Sequence, residues 1–343
     1  MAGRVPRVGT FGALLMSAVA GCAAPAPHAP GGATELPAAR PPLAWSTRLD
    51  ADHPLVGRIW SVRAARFVDE AEVLGGLRGY VLLGEKHDNP DHHALQARVL
   101  RALVAAGRKP VVAFEMFDAD DQAAIEAARR EHPRDAAAIA SAAHWADSGW
   151  PPWADYAPIA QLALDASLPI VATGLPRSRM RALMKPAGAD GGVAAPIDEG
   201  TPLDAAQQAS LREELKESHC GHLPDASIGA MMRFQRARDA SMAASLIAAG
   251  NAEHAQDGVL IAGTGHTRRD RGAGRDLAVR DPSRPVTSIA FAEVEAGRND
   301  PPAYAARWNV AVLPFDFVWF TPRASDEDPC AGFTHGEKPP ASP

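Results

Sequence analysis

Five short runs of aliphatic and β-branched residues punctuate the chain, at positions 80–83, 111–114, 170–172, 259–262 and 286–290. Each is apolar at successive positions, so both faces are buried, as in strands covered by helices on two sides. Between them lie longer stretches whose apolar residues recur every three or four positions. Asn89 and Pro90 supply an N-cap and a first-turn proline, and Leu95, Val99, Leu103 and Val104 then share one helical face. Further helices are predicted over 120–130 and 159–166. The alternation predicts an α/β fold with a largely parallel sheet and helices on both faces. Residues 187–200, rich in Gly, Ala and Pro, break the pattern before helical material over 203–249, which reads as an insertion or lid. Toward the end, Val310, Val312, Phe315, Phe317, Val318 and Trp319 predict two closing strands around Pro314, with Trp308 at their start. The acidic, Pro-rich tail over 323–343 is expected to be disordered except near Cys330.

The first 22 residues have another logic. Arg4 and Arg7 precede an apolar stretch from Phe11 to Ala20, and Val19-Ala20-Gly21-Cys22 follows. That is the layout of a secretory signal whose peptidase leaves Cys22 as an acylated first residue. The run is too short for a bilayer span of ~20 residues. Ala, Pro and Gly dominate residues 23–42, a composition that buries too little apolar surface to fold. A flexible tether over 23–54 is therefore expected ahead of a soluble body over 55–322, with the lipid as sole membrane contact. Ala23 is not the aspartate expected of inner-membrane retention, which points to the outer membrane, facing the periplasm.

Composition narrows the partners. Loss of residues 1–21 removes two arginines and no acid, so the formal charge of −6 becomes −8. An acidic body argues against nucleic acid, whose phosphates need Lys and Arg. In an oxidising compartment Cys220 and Cys330 either form a disulfide or remain free and buried; the sequence leaves both open.

Candidate chemistry gathers where strands end. Gly84-Glu85-Lys86-His87 and Gly263-Thr264-Gly265-His266 each follow a predicted strand, and Glu115 follows a third. Ligands bind outside the carboxyl ends of strands in open α/β sheets, and a buried glutamate demands a partner. Glu85, His87, Glu115 and His266 therefore form the central candidate cluster, with Lys86 beside it and Arg177 as a possible ion partner of Glu115. One of His92 and His93 must face away from the site; His93 is counted with the ligand-binding set. His144, Trp145, Trp150, Trp153 and Tyr156 form an aromatic group that is either a local core or a flat surface for a planar ligand. Neither Gly-x-Ser-x-Gly nor Gly-Lys-Ser/Thr occurs, which sets aside serine-elbow hydrolases and phosphate loops.

These segments, with Phe114-Glu115-Met116, Trp153 and Tyr156, His219-Cys220, Arg238-Asp239-Ala240-Ser241-Met242-Ala243 and Phe315-Asp316-Phe317-Val318-Trp319-Phe320-Thr321, resemble the ChaN-like haem-binding lipoproteins over about residues 55–322. The resemblance implies the fold shared with erythromycin esterases and Tiki proteins. It also implies haem binding linked to iron uptake, with haem-receptor or transporter partners and a homodimer sharing haem. Haem iron takes His or Tyr, and of Tyr80, Tyr156 and Tyr304 the first choice is Tyr156. The wider superfamily implies an alternative, a hydrolase with a divalent metal in which Glu85 or Glu115 is general base and His87 and His266 hold the metal or stabilise charge. Gly174 stands where a polar residue such as Asn is expected.

Overall fold

The computed structural model describes residues 43–176, 179–180, 197–328 and 330–331. The expected lipidation site Cys22, the segment before residue 43, Arg177, most of the 187–200 loop and the end of the tail lie outside the described residues. Among the described residues no helix is long and apolar enough to cross a membrane.

The predicted apolar runs become β3 (Tyr80–Glu85), β4 (Val111–Asp118), β5 (Ile170–Gly174), β6 (Gly258–Gly263) and β7 (Val286–Glu293). With β8 (Phe317–Thr321) they form six parallel strands in the order β8-β7-β3-β6-β4-β5. A short antiparallel pair, β1 (Ile59–Ser61) and β2 (Arg66–Val68), continues the sheet beyond β8. The period of two in each strand divides the core. Val81, Leu83, Val112 and Phe114 pack on one face with α1 (Glu70–Gly76), α2 (Pro90–Ala105), α3 (Gln122–Glu131), α4 (Ala136–Ala142) and α5 (Trp153–Asp165), whereas Tyr80, Leu82, Val111 and Ala113 pack on the other against the long helix Asp225–Ala252. Each of the Val, Leu and Phe side chains among them contributes about 1.5–3 kcal/mol on burial.

Several boundaries move for physical reasons. α5 begins at Trp153 rather than at 159, because Pro158 sits in its second turn and costs only a local hydrogen bond. That places Trp153 and Tyr156 on the helix, facing the sheet edge. Only one closing strand forms: residues Pro301–Trp308 are a 3₁₀ helix, Asn309 is left-handed, and Val312 is 68 % exposed. The apolar residues there pack as rings, Trp308 against Phe315 at 5.0 Å, rather than as a ladder. The insertion resolves into helices Ala205–Ser218 and Asp225–Ala252.

The body also begins earlier than the expected tether boundary. Leu43 and Trp45 pack on the core, and Leu49 bridges Arg323. Buried Asp91 in the first turn of α2 accepts the Ser46 and Thr47 N–H groups at 2.6 and 3.0 Å and the Thr47 hydroxyl. Asp91→Ala is expected to cost about 1–3 kcal/mol and to open residues 43–50 to protease; an unchanged cleavage pattern would rule the latch out. Cys220 and Cys330 are disulfide-bonded, with Cα atoms 5.6 Å apart, so part of the tail is pinned to the turn between the two inserted helices.

β5 is an edge strand, and its edge is occupied from within. The Gln122 amide donates to the Ile170 carbonyl at 3.1 Å and accepts from the Ala172 N–H at 2.7 Å.

Candidate functional site

β3, β6 and β4 are neighbours in the sheet, so their carboxyl ends bring three predicted segments together. Glu85 closes β3 in register with Gly263 of β6. Glu115 lies in an irregular stretch of β4, where the pairing with β5 shifts between Phe114 and Asp118. Such a bulge re-aims side chains, and here Glu115 turns toward β6, accepting the Gly263 N–H at 2.7 Å. Two glycines make the approach possible. A Cβ on Gly263 would lie 2.9 Å from His87 Nε2, and one on Gly174 would lie 2.7 Å from the Phe117 carbonyl. The missing polar side chain at 174 is thus a requirement of the bulge.

Glu85 and Glu115 are both buried, and each is surrounded by donors. Glu85 Oε1 accepts from the Tyr156 hydroxyl at 2.6 Å and from His87 Nδ1 at 2.8 Å. Its Oε2 lies 2.9 Å from His93 Nδ1 but off the line of a hydrogen bond, so that contact is charge pairing. His93 Nε2 donates to the His87 carbonyl at 2.9 Å, while Nδ1 also faces Gln96 Oε1 at 3.3 Å; the Gln96 amide nitrogen is committed to the Leu83 carbonyl. Both imidazole nitrogens meet acceptors, which makes His93 a buried cation. Burial opposes that charge, yet Glu85 outweighs burial and raises the His93 pKa. Burial likewise opposes the Glu85 charge, and His93 and His87 hold its carboxyl below the usual range.

A second chain of charges runs through Glu115. Arg238 donates to its Oε1, and His266 Nε2 stands 3.3 Å away. His266 Nδ1 meets Asp239 Oδ1 at 2.7 Å. Burial disfavours the imidazolium, but Glu115 and Asp239 lift the His266 pKa to about 9. Burial pushes Asp239 up, while His266, Arg238 and His87 overcome burial at Glu115 and hold it well down. His87 links the chains: its Nε2 is 4.0 Å from Glu115 Oε1, its ring is 4.9 Å from Trp150, and its side chain is 33 % exposed.

The predicted cluster Glu85, His87, Glu115 and His266 is therefore contiguous, and His93 joins it. His92 faces away: Nδ1 accepts the Lys86 N–H and Nε2 donates to Thr321, while burial and the charge of His93 keep it neutral. Lys86 pairs with Asp88 at 3.1 Å and Glu293 at 3.3 Å on the rim. Tyr156 departs from expectation as an iron ligand. It is fully buried, its hydroxyl is committed to Glu85, and burial and the Glu85 charge raise its pKa, so no phenolate is open to iron. Arg238 pairs with Glu115, and Arg177 lies outside the described residues. Arg238 and Asp239 join the site although no local motif marks them, and Glu293 ends an apolar strand as Glu85 does. Among the described residues no group of three or more His, Cys, Asp and Glu is arranged to hold a metal ion, and Arg238 donates to Glu115 Oε1.

Beside the crevice, at the start of α5, an open recess of about 440 Å³ is lined by Ala140, Ser141, His144, Trp145, Asp147 and Trp153. Trp145 and Trp153 meet edge to face at 4.9 Å, and Trp145 lies 5.0 Å from Tyr156. The aromatic group is thus both a core against Tyr156 and one wall of a surface depression.

No curated protein matches the chain. Among solved structures, ChaN of Campylobacter jejuni, described with cofacial heme binding, has a TM-score of 0.57 at 20% identity, covering 76% of this chain and 95% of that one. The type III effector HopBA1 gives a TM-score of 0.42 at 15% identity, covering 73% and 91%, and an erythromycin esterase mutant in its open conformation gives 0.36 at 16% identity, covering 67% and 76%. The family described as haem-binding uptake, Tiki superfamily, ChaN matches residues 77–277, more than half the chain. The chain belongs to this ChaN family of haem-binding uptake proteins.

Proposed function

We propose that the protein binds haem in haem and iron acquisition at the cell envelope, held by a lipid on Cys22 to the outer membrane and facing the periplasm. The observation that carries this reading is the recess beside the crevice: half-buried Trp153, backed by buried Trp145, offers apolar ring surface to a planar ligand at the carboxyl edge of the sheet, where such folds bind ligands. Haem brings the iron chemistry; the protein holds and shields it. A receptor or transporter component is the natural recipient, and a second copy of the chain is the natural cover for a recess this open.

Ferric haem added to the full chain in detergent is expected to shift the Soret band and saturate at a simple ratio. A spectrum identical to free haem at every ratio would sink the reading.

A second reading, acid–base hydrolysis, has one observation in its favour. His87 is partly exposed and its Nδ1 is held by buried Glu85, the arrangement that orients a general base. Turnover of activated esters that disappears in His87→Ala, in a protein that leaves the haem spectrum unchanged, would replace the first reading with the second.

A further inference from the structure

We propose that the haem iron is held by His144, a surface histidine in the recess, and not by a tyrosine; this rests on the haem-binding reading above. All three tyrosines are fully buried and their hydroxyls are engaged, Tyr80 with Asp281, Tyr156 with Glu85 and Tyr304 with the Arg298 carbonyl. Cys220 and Cys330 are consumed by the disulfide. Histidine is then the remaining common ligand type.

The histidines of the crevice are closed as well. His92 and His93 use both ring nitrogens, and His266 stands between Asp239 and Glu115. His87 gives Nδ1 to Glu85, and its Nε2 lies against Gly263 and 4.0 Å from Glu115 Oε1, so the remaining nitrogen faces the charged strand ends and not the recess.

His144 differs on each count. Its side chain is 63 % exposed and lines the recess with Trp145 and Trp153. Its backbone is left-handed, φ 51° and ψ 36°, a conformation that is uncommon for a residue with a side chain and costs about 1 kcal/mol or more. Hydrogen bonds pin it on both sides: its N–H donates to the Ser141 carbonyl at 3.1 Å, and its carbonyl accepts from Asp147 at 3.1 Å. The chain thereby holds this imidazole at the mouth of the recess, as a short linker between helix and 3₁₀ turn would not do by default. Asp121 Oδ1 lies 3.9 Å from Nε2, a charge beside the ring but beyond hydrogen-bond reach. His254 also lines an open cavity, of about 580 Å³, but that cavity holds no aromatic ring and adjoins the residues that precede β4, β5 and β6.

The test is ferric-haem titration of the full chain in detergent, read by absorption, electron paramagnetic resonance and resonance Raman. His144→Asn keeps a residue type that tolerates the left-handed backbone, and its unfolding midpoint should equal the parent's. Outer-sphere partners alone are worth about 10- to 100-fold in metal affinity, so His144→Asn is expected to weaken haem binding at least about tenfold and to lose the histidine signature, with free imidazole restoring it. His254→Asn should keep the parent spectrum. Parent-like affinity and spectrum in His144→Asn, or phenolate bands that vanish in Tyr156→Phe, would overturn the assignment while leaving haem binding intact. A parent chain that does not bind haem at all would overturn the functional reading and this assignment with it.

Discussion

Replacing Glu85 with Ala is expected to destabilise the protein by about 3–5 kcal/mol, the range for removing one partner of a buried charge pair. The loss is large because two hydrogen-bond donors and a charged imidazole converge on one carboxylate. Without it the Tyr156 hydroxyl loses its acceptor, His87 loses its orienting partner, and His93 must shed a proton although both its nitrogens face oxygen. Urea unfolding followed by tryptophan fluorescence measures the effect. Glu85→Gln should recover part of the loss, since its amide oxygen still accepts from Tyr156. A change below about 1 kcal/mol, the size of an ordinary surface substitution, would show that the network contributes little to folding.

The second large effect is expected on the alkaline side. A histidine whose pKa is raised on folding stabilises the native state fully below its unfolded pKa, and that stability is lost as pH rises through the folded value. For His266 these limits are 6.5 and about 9. The difference corresponds to on the order of 3 kcal/mol, present at pH 6.5 and gone above pH 9. His87 and His93 are also raised, so they add to the same slope. The acid limb has the opposite origin. Glu85 and Glu115 are held below 4.5, so their contribution is present above that pH and fades as pH falls further. Buried His92 works the other way, its depressed pKa costing stability as pH falls below 6.5, so stability should peak near pH 6.5 and fall toward both pH 4.5 and pH 9. A flat profile from 6.5 to 9, or an unchanged slope in His266→Asn, would contradict this.

Much of the architecture was visible in the chain because burial leaves a mark on sequence. Runs apolar on both faces can only be covered strands, and a glutamate at the end of such a run has to find donors; Glu85 and Glu115 announced the crevice in that way. What stayed hidden depends on distant segments. Arg238 and Asp239 reach the crevice from the middle of a 28-residue helix in the insertion, and nothing local distinguishes them from its other charges. The bulge that turns Glu115 toward Gly263 is a mismatch between two strands, so neither strand carries its signature alone. Pro158 reads as a helix breaker until the helix is known to begin five residues earlier. The aromatic group was visible as a group, but its division between core and recess follows from where α5 begins. Tyr156 reads as a free phenol for the same reason: the carboxylate that claims its hydroxyl lies 71 residues away.

The amide of Gln122 on the edge of β5 bears on how such a protein behaves in company. Chains anchored by lipid, as proposed for this one, share a surface rather than a volume, and their encounters are frequent. An open strand on one copy would be a template for the next, and pairing of that kind propagates into fibres. Here the two backbone groups that would start it are already matched by a side chain of the same molecule. Copies remain free to meet through the recess, face to face, without seeding a growing sheet.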